Sequence, residues 1–493
     1  MRLLGQNALE MPMNIASIAS RVLQKPLLFS GLLLLAAGLV LHFAGLSRIN
    51  TLVFDEVYYA KYGHAYFHGQ TVFDVHPPLG KYLIGLGMWI ADAIGYNGYL
   101  TNTLSGAARA PWAYRWMDAL FGSVLPLIAF LLTWQLTKRV RAAVLAGVFM
   151  LCSGLFLVEA RYGLINIFMV VFGLLGHWQW LRALDASSAR GRHVQYLLAG
   201  LALGACVSVK WNGLAFLGVV WALTGLAWVA AWRGSPTAQR FAALRPPVLV
   251  LYFVVVPALL YAMQWVPHMR LNTMSFKEVH AQMLGFHKNM KDGPGEHPYC
   301  SRWHTWPLML RPINYLYEQS RSAGDPLPPY AEKVPQEQAR VVYVAHAIGN
   351  PLLAWWSCIA LLGAAVLMLR NAKLRTRAGF ASGSQARSNH AAHGNAWVWG
   401  YVVLAFAASW LPWALIGRCQ FLYLYMPSFA FAIIAAALLV DWLAARAQPI
   451  WRNAAYVIAA LIIGNFVYFA PIYLALPISP HDFHARMWLR SWI

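Results

Sequence analysis

"PLLFSGLLLLAAGLVLHFAGL", residues 26–46, carries no Asp, Glu, Lys or Arg, and soon after it "FDEVYY", residues 54–59, sets Asp55 beside Glu56. A run of about 20 apolar residues is long enough to cross a bilayer as a helix. Comparable runs follow at 114–136, 142–158, 163–181, 195–209, 214–232, 247–266, 348–369, 396–415, 421–442 and 453–475, making eleven spans with the first. A lipid-exposed backbone must satisfy its own hydrogen bonds, so these runs read as helices. The alternating segments of a membrane barrel are not present in the sequence. Of the 493 residues, 60% are hydrophobic and 11% are charged, against about 25% charged in a soluble domain. The fold class is therefore an all-α polytopic membrane protein with about 11 transmembrane helices. Residues 80–95 form a shorter, Gly-rich apolar stretch that we read as interfacial or re-entrant.

The formal net charge of +21 would suggest nucleic acid in a soluble protein; here its distribution is topological. Lys and Arg concentrate in alternate short connections: Arg21 and Lys25; Lys138, Arg139 and Arg141; Arg182, Arg190 and Arg192; Arg233, Arg240 and Arg245. The pattern continues with Lys373, Arg375, Arg377 and Arg387, then Arg446 and Arg452. The positive-inside rule makes these cytoplasmic. Two long loops then lie outside, at 47–113 and 267–347, and loops of that length usually carry function or their own structure. Residues 1–476 read as one membrane domain, with a flexible cytoplasmic loop at 370–394, rich in Ser, Ala, Gly and Arg, and an outer tail at 477–493. Residues 1–25 lack the pattern of a cleavable signal, and the first run reads as a retained anchor. The five cysteines, Cys152, Cys206, Cys300, Cys358 and Cys419, show no CxxC spacing and suggest neither a metal site nor a disulfide framework. His297 and His304 likewise lack metal-ligand spacing.

This topology gathers the unusual polar residues on one face. Asp55, Glu56, Asp74, His76 and Lys81 lie in the first outer loop, and Arg115 opens the second span from outside. "EARYG" puts Glu159 and Arg161 at an outer turn, and "VKWNG" puts Lys210 at the next. "EHPYCSRWHTWPLMLRP", with His297, Tyr299 and Trp306, lies in the second long loop, and "IGRCQFLYLY" brings Arg418 to the last internal outer turn. Each feature alone has a plainer reading. The acidic pair suits a helix N-terminus, His76-Pro77-Pro78 a rigid turn, the basic residues snorkelling anchors and the Trp-rich stretch an interfacial belt. Their convergence from separate turns is what favours chemistry. A departing lipid phosphate needs Arg or Lys aimed at it, an attacking hydroxyl needs a carboxylate base, and an oxocarbenium-like sugar centre is helped by nearby carboxylates.

"FDEVYYAKYGHAYFHGQTVFDVHPPLGKYLIGLG" resembles the first outer loop of the protein O-mannosyltransferase family. "ARYGLINIFMVVFG", "VSVKWNGL", "HPYCSRWHTWPLMLRP" and "LPWALIGRCQFLYLYMPSFAF" resemble later blocks in order, so the resemblance covers about residues 47–440. It implies a GT-C membrane glycosyltransferase that moves a sugar, typically mannose, from a polyprenyl-phosphate donor with inversion to a Ser or Thr hydroxyl of a translocated protein. By position it implies Asp55 as the general base and Glu56 as its supporting neighbour. His76 and Lys81 fall to the donor site, and Arg161, Lys210 and Arg418 to the lipid phosphate. His297, Tyr299 and Trp306 fall to the acceptor groove, with Asp74 and Arg115 further candidates for acceptor or sugar binding. No metal or other cofactor is required; a divalent ion would at most screen the phosphate. The expected partners are the lipid-linked donor, membrane lipid, exported Ser/Thr-containing proteins and the secretion machinery that delivers them, with no nucleic acid.

Two departures stand out. The family commonly has Asp where "RYGLIN" offers Asn166, and no large luminal module follows the seventh span, where only about 80 outer residues are found. The second resembles bacterial members and implies a cytoplasmic membrane, a site facing the periplasm or exterior, and an undecaprenyl-type donor. The alternatives are a GT-C enzyme that places a sugar or aminosugar on a lipid such as lipid A, a sugar or lipid transporter, and a non-catalytic scaffold. The one-sided charges and lack of an internal repeat disfavour transport.

Overall fold

Proline opens many of the long apolar helices, at Pro26, Pro111, Pro427 and Pro449 among others. It is favoured there because a first-turn residue has no intrahelical partner for its N–H. A computed structural model describes residues 25–96, 98, 109–234, 238–291, 297–325, 327, 333–378 and 396–493, with backbone only at 371–378 and 396. The helices are α1 (Pro26–Phe43), α2 (Glu56–Phe67), α3 (Leu79–Ala93), α4 (Pro111–Thr137), α5 (Val140–Leu151), α6 (Gly154–Glu159), α7 (Asn166–Leu184), α8 (Ala189–Val209) and α9 (Leu214–Trp232). After them come α10 (Pro246–Leu271), α11 (Phe276–Asn289), α12 (Pro351–Ala378), α13 (Ala396–Trp410), α14 (Met426–Ala444), α15 (Pro449–Tyr473) and α16 (Pro480–Arg486).

Among the described residues, 10 helices are long and apolar enough to cross a membrane. The expected span at 142–158 is instead two short helices, α5 and α6, broken at Cys152–Ser153. Distant segments pack at the break. A Cβ on Gly154 would sit 2.2 Å from the Tyr473 ring, and the freed Cys152 carbonyl accepts from Asn350 Nδ2 at 3.1 Å. Residues 80–95 are largely the helix α3. Of the expected flexible loop, 370–378 continue α12, and 379–394 lie outside the described residues, as do residues 1–24.

The segment Leu422–Ala444 is buried over its whole apolar window, so α14 is the central post of the bundle; an all-round apolar helix belongs in such a core. The peripheral spans leave broad apolar faces exposed, α10 most of all. Basic residues assigned to the cytoplasmic connections gather at one end. Arg139 and Arg141 pair with Asp441 at 2.5 and 2.6 Å, and Arg240 pairs with Asp185 at 2.7 Å.

The other end holds the two long loops. There α2 and α3 form a hairpin whose backbones touch. A Cβ on Gly85 would lie 2.4 Å from the Gly63 carbonyl oxygen, so only glycine permits the crossing. The second loop contains α11 and an antiparallel pair, β1 (Ile313–Ser320) and β2 (Val341–Ala347). Its register shifts between Asn314 and Leu316, which leaves Tyr315 as the extra residue of a bulge. Bulges re-aim side chains, and this one turns Tyr315 toward the interior of the outer end.

The cysteine reading needs one correction: Cys300 and Cys419 form a disulfide. The two are 119 residues apart in sequence, so no local spacing could signal the pair. The bridge fastens the second loop to the turn that carries Arg418. Loop-closure entropy assigns such a bridge roughly 2–5 kcal/mol. We expect Cys300→Ser to lower the thermal unfolding midpoint of the detergent-solubilised protein. Dithiothreitol should reproduce the loss in the wild type and leave the variant unchanged.

Candidate active site

Asp55 holds the N-cap position of α2 without a side-chain capping bond, and Glu56 is the first residue of the helix. Successive helical residues point about 100° apart, so the two neighbouring carboxylates meet different surroundings. Glu56 turns inward and is fully buried. Its Oε2 accepts from Val53 N at 2.9 Å and Arg115 Nη2 at 2.7 Å; its Oε1 accepts from Arg115 Nε at 2.8 Å and Gly163 N at 2.7 Å. Arg115 completes its own set on the carbonyls of Leu46 (3.2 Å), Ile49 (2.6 Å) and Thr51 (2.9 Å). No lone pair of Glu56 and no N–H of Arg115 remains for a substrate. The pair ties α2, α4, the 46–51 segment and the 161–163 turn into one unit.

Asp55 turns the other way. Among the described residues its carboxylate accepts no hydrogen bond. Burial pushes its pKa up to about 6, with Lys210 pulling it down and Asp74 pushing it up. Nearby, a cavity of about 820 Å³ opens between the outer ends of α9, α11 and α13. Its polar wall is His76, Lys210, His287, Lys288 and Arg418; its apolar wall includes Leu214, Trp413 and Leu415. Burial lowers the Lys210 ammonium to about 8, opposed chiefly by the negative charges of Asp55 and Glu159. His76 is driven well below its usual range by burial and by the cations around it, so it enters the cavity as a neutral imidazole, with the His287 ring 5.6 Å away.

The remaining candidates divide. Lys81 is fully buried, pairs with Asp74 and donates to the His76 carbonyl at 2.7 Å. These two charges brace the HPP turn instead of facing the cavity. Arg161 donates to the carbonyls of Leu41 and His42, both at 2.9 Å, and of Gly45 at 3.3 Å. A cation is favoured at the unsatisfied carbonyls of a helix C-terminus, and Arg161 caps α1 there, outside the cavity wall. His297 stands among Phe54, Tyr299 and Phe421, and Arg311 lies over the Tyr299 ring at 5.5 Å. Trp306 is buried, with its indole N–H on Ser301 Oγ at 2.8 Å; it supports the loop from within and is not a groove surface.

His287 and Lys288 were not among the sequence candidates because the α11 segment carries no motif. Glu159, placed at an outer turn by the sequence, is fully buried and accepts hydrogen bonds from Tyr315 Oη and from Asn166 Nδ2, the latter at 3.1 Å. Among the described residues no group of His, Cys, Asp or Glu side chains could hold a metal ion.

Two family models match in tandem. The dolichyl-phosphate-mannose-protein mannosyltransferase model covers residues 32–273, and the model of the C-terminal four-transmembrane region of protein-O-mannosyltransferase covers 272–492. The polyprenol-phosphate-mannose–protein mannosyltransferase of Mycobacterium tuberculosis is 24% identical over 92% of this chain and 88% of its own length. Its Corynebacterium glutamicum counterpart is 25% identical over 85% and 81%. The fold resembles the Saccharomyces cerevisiae Pmt1–Pmt2 complex bound to the sugar donor, with TM-score 0.74, 14% identity and coverage of 94% of this chain and 92% of that one. ArnT from Cupriavidus metallidurans bound to undecaprenyl phosphate gives TM-score 0.50 at 14% identity, covering 90% and 64%.

Removing one partner of a buried ion pair costs about 3–5 kcal/mol because the other charge is left unpaired. Glu56→Gln and Arg115→Gln are therefore expected to lower thermal stability sharply, whereas Asp55→Asn should leave the unfolding midpoint close to that of the wild type. Differential scanning fluorimetry in detergent makes the comparison.

Proposed function

This chain belongs to the protein O-mannosyltransferase family, and we propose that it is an inverting enzyme that carries mannose from a polyprenyl-phosphate donor to Ser and Thr hydroxyls of proteins. The site lies at the outer end of a multi-pass membrane protein. By the positive-inside rule that end faces the periplasm or exterior of a bacterial cytoplasmic membrane, where exported chains present their hydroxyls as the secretion machinery delivers them.

One observation carries the catalytic assignment. Of two adjacent carboxylates, Glu56 has every acceptor position filled, while Asp55, among the described residues, accepts no hydrogen bond and lies within electrostatic reach of Lys210 in the cavity wall. In this reading the donor's lipid tail lies along the apolar wall at Leu214 and Leu415. Its phosphodiester sits against Lys210 and Arg418, with His287 and Lys288 beside it. The mannose then projects toward Asp55. The hydroxyl oxygen attacks the anomeric carbon from the face opposite the phosphate, and its proton passes to Asp55. The bond from carbon to phosphate oxygen breaks, and the electron pair stays on the phosphate, where the cations stabilise it. Neutral His76 supplies a hydrogen bond without adding repulsion to the cationic wall. The ring cluster of His297, Tyr299 and Phe421 offers flat apolar surface to the acceptor chain.

The test uses the full chain in lipid with radiolabelled polyprenyl-phosphate mannose, a Ser/Thr-rich peptide and, separately, lipid A. Label is expected on the peptide. Asp55→Asn should lower its rate by about 10²–10⁴-fold, the range for loss of a general base. Label on lipid A alone would move the function to the lipid-acceptor reading, and an unchanged rate in the variant would end the assignment of Asp55.

A base must be deprotonated to act. The folded-state pKa of Asp55 is raised to about 6, so activity should be full above that value and fall as pH drops through it. The acidic limb of kcat/KM is expected near pH 6. A limb near 4, the ordinary Asp range, would contradict the buried setting of this carboxylate.

A further inference from the structure

Lys210 is a cavity cation whose immediate hydrogen-bond partner is neutral. Its Nζ donates to Asn166 Oδ1 at 3.1 Å, and its ammonium lies over the Tyr423 ring at 4.7 Å. The other end of the same amide donates from Nδ2 to Glu159 Oε2 at 3.1 Å. The amide dipole thus lies between an ammonium and a carboxylate with both ends matched. Glu159 has one more partner, the Tyr315 hydroxyl, delivered by the bulge in β1. Tyr315 in turn stacks on Phe54, with ring centroids 4.5 Å apart, next to Asp55. Among the described residues both hydrogen bonds at Glu159 are donated to it; burial raises its pKa to about 7, opposed by these bonds and by Lys210, so it is ionised on the alkaline side of neutrality.

We propose that Glu159, acting through Asn166, is the positioning residue that aims the Lys210 ammonium into the cavity and leaves its positive charge free for the donor's phosphodiester. The proposal rests on the reading of this cavity as the donor site. A carboxylate in direct contact would hold Lys210 charged but would also compete with the phosphate for it. A bare amide would leave a buried ammonium with too little support, since burial favours the neutral amine. Setting the carboxylate one amide away gives the field of a counter-ion without occupying the ammonium's outward N–H groups. The same chain couples the site to the second outer loop, because Tyr315 belongs to β1.

Other groups also act on Lys210. Asp55 and Asp74, from the first loop, raise its proton affinity, and Arg418 lowers it. Lys210 in turn disfavours protonation of His76 and, on α11, of His287. Among the described residues only Glu159 reaches it through a hydrogen-bonded side chain. Asp55 and Asp74 are unchanged by substitution at 159 or 166, so the contribution of Glu159 can be isolated.

The experiment measures binding of polyprenyl-phosphate mannose, without acceptor, to the full chain in nanodiscs across a pH series. A phosphodiester does not titrate in this range, so the alkaline limb belongs to the protein. In the wild type, binding should weaken as pH rises through about 8, where Lys210 loses its proton. Glu159→Gln keeps the shape and removes the charge. It should move that limb about one pH unit lower, which is up to about tenfold weaker binding at a fixed pH on the limb. The double variant Glu159→Gln/Asn166→Asp returns a carboxylate to the chain and should move the limb back up. An unmoved limb in Glu159→Gln, or a double variant no better than the single, overturns the proposal.

If Glu159→Gln does not fold, Asn166→Leu carries the same test: with the amide gone the limb must fall, and an unmoved limb overturns the proposal. Transfer to the Ser/Thr peptide is measured on the same wild-type preparation. Donor binding with the expected limbs but no transfer counts against the function and leaves the Glu159 assignment standing. Transfer with unmoved limbs does the reverse.

Discussion

A carboxylate and a guanidinium buried together in an apolar interior stabilise a structure only when nearly all of their hydrogen-bonding capacity is met. Glu56 and Arg115 meet that condition with four bonds accepted and five donated. The rest of the outer end depends on them. They fix the start of α2 to α4, to the segment that leaves α1 and to the turn that leads into α7. The position of Asp55 follows from the backbone alone, because it is the residue before Glu56. A catalytic carboxylate held by its own hydrogen bonds would be stabilised as the anion and weakened as a base. Here the neighbour does the holding, and burial keeps Asp55 basic.

The same separation of roles recurs among the other charges. Asp74 is engaged by Lys81, Glu56 by Arg115, and Glu159 by Tyr315 and Asn166. None of these carboxylates makes a direct ion pair with a cation that lines the cavity. Among the described residues neither Lys210 nor Arg418 makes a direct ion pair, and Asp55 and Glu159 act on Lys210 through space. In surroundings of low polarity each such charge acts more strongly than it would in water. A wall of this kind beside apolar helix faces suits a ligand that joins one negative charge to a long hydrocarbon chain.

The sequence made the spans legible because a bilayer imposes length and composition together, and it located the outer end through the alternation of Lys and Arg. It could not show that the run at 142–158 breaks, because the groups packed at the break, the Tyr473 ring on Gly154 and the Asn350 amide on the Cys152 carbonyl, come from distant segments. The candidate site was legible as a set of residue types, and their roles were not. Arg161 resembles a phosphate ligand in sequence, and in the fold the carbonyls at the end of α1 take its donors. Trp306 has the look of an acceptor surface and is buried under its own loop. Asn166 reads as a missing acid. Its meaning emerges only with Glu159, one helical break away, and with Tyr315, from a loop far along the chain. Roles of this kind depend on which hydrogen bonds are already taken, and that is a property of three-dimensional neighbours.

In the proposed reading the chemistry sits at helix ends, which follows from the cost of charge in a bilayer. An ionisable side chain near the membrane centre is expensive, and the cost falls toward the interface. Donor and acceptor also arrive from different solvents, one from lipid and one from water, and they can meet only where both are within reach. The spans serve as a frame whose ends supply single residues: Asp55 and Glu159 near the starts and stops of short helices, Lys210 between α8 and α9, Arg418 before α14. Single residues from separate ends need something to fix their relative positions. The Glu56–Arg115 pair does this for the first loop. The Cys300–Cys419 bridge does it for the second, and the bulged strand that delivers Tyr315 to Glu159 joins the two. Geometry at the site is thus set by a few buried polar contacts at the edge of the bundle more than by the packing of the helices that carry them.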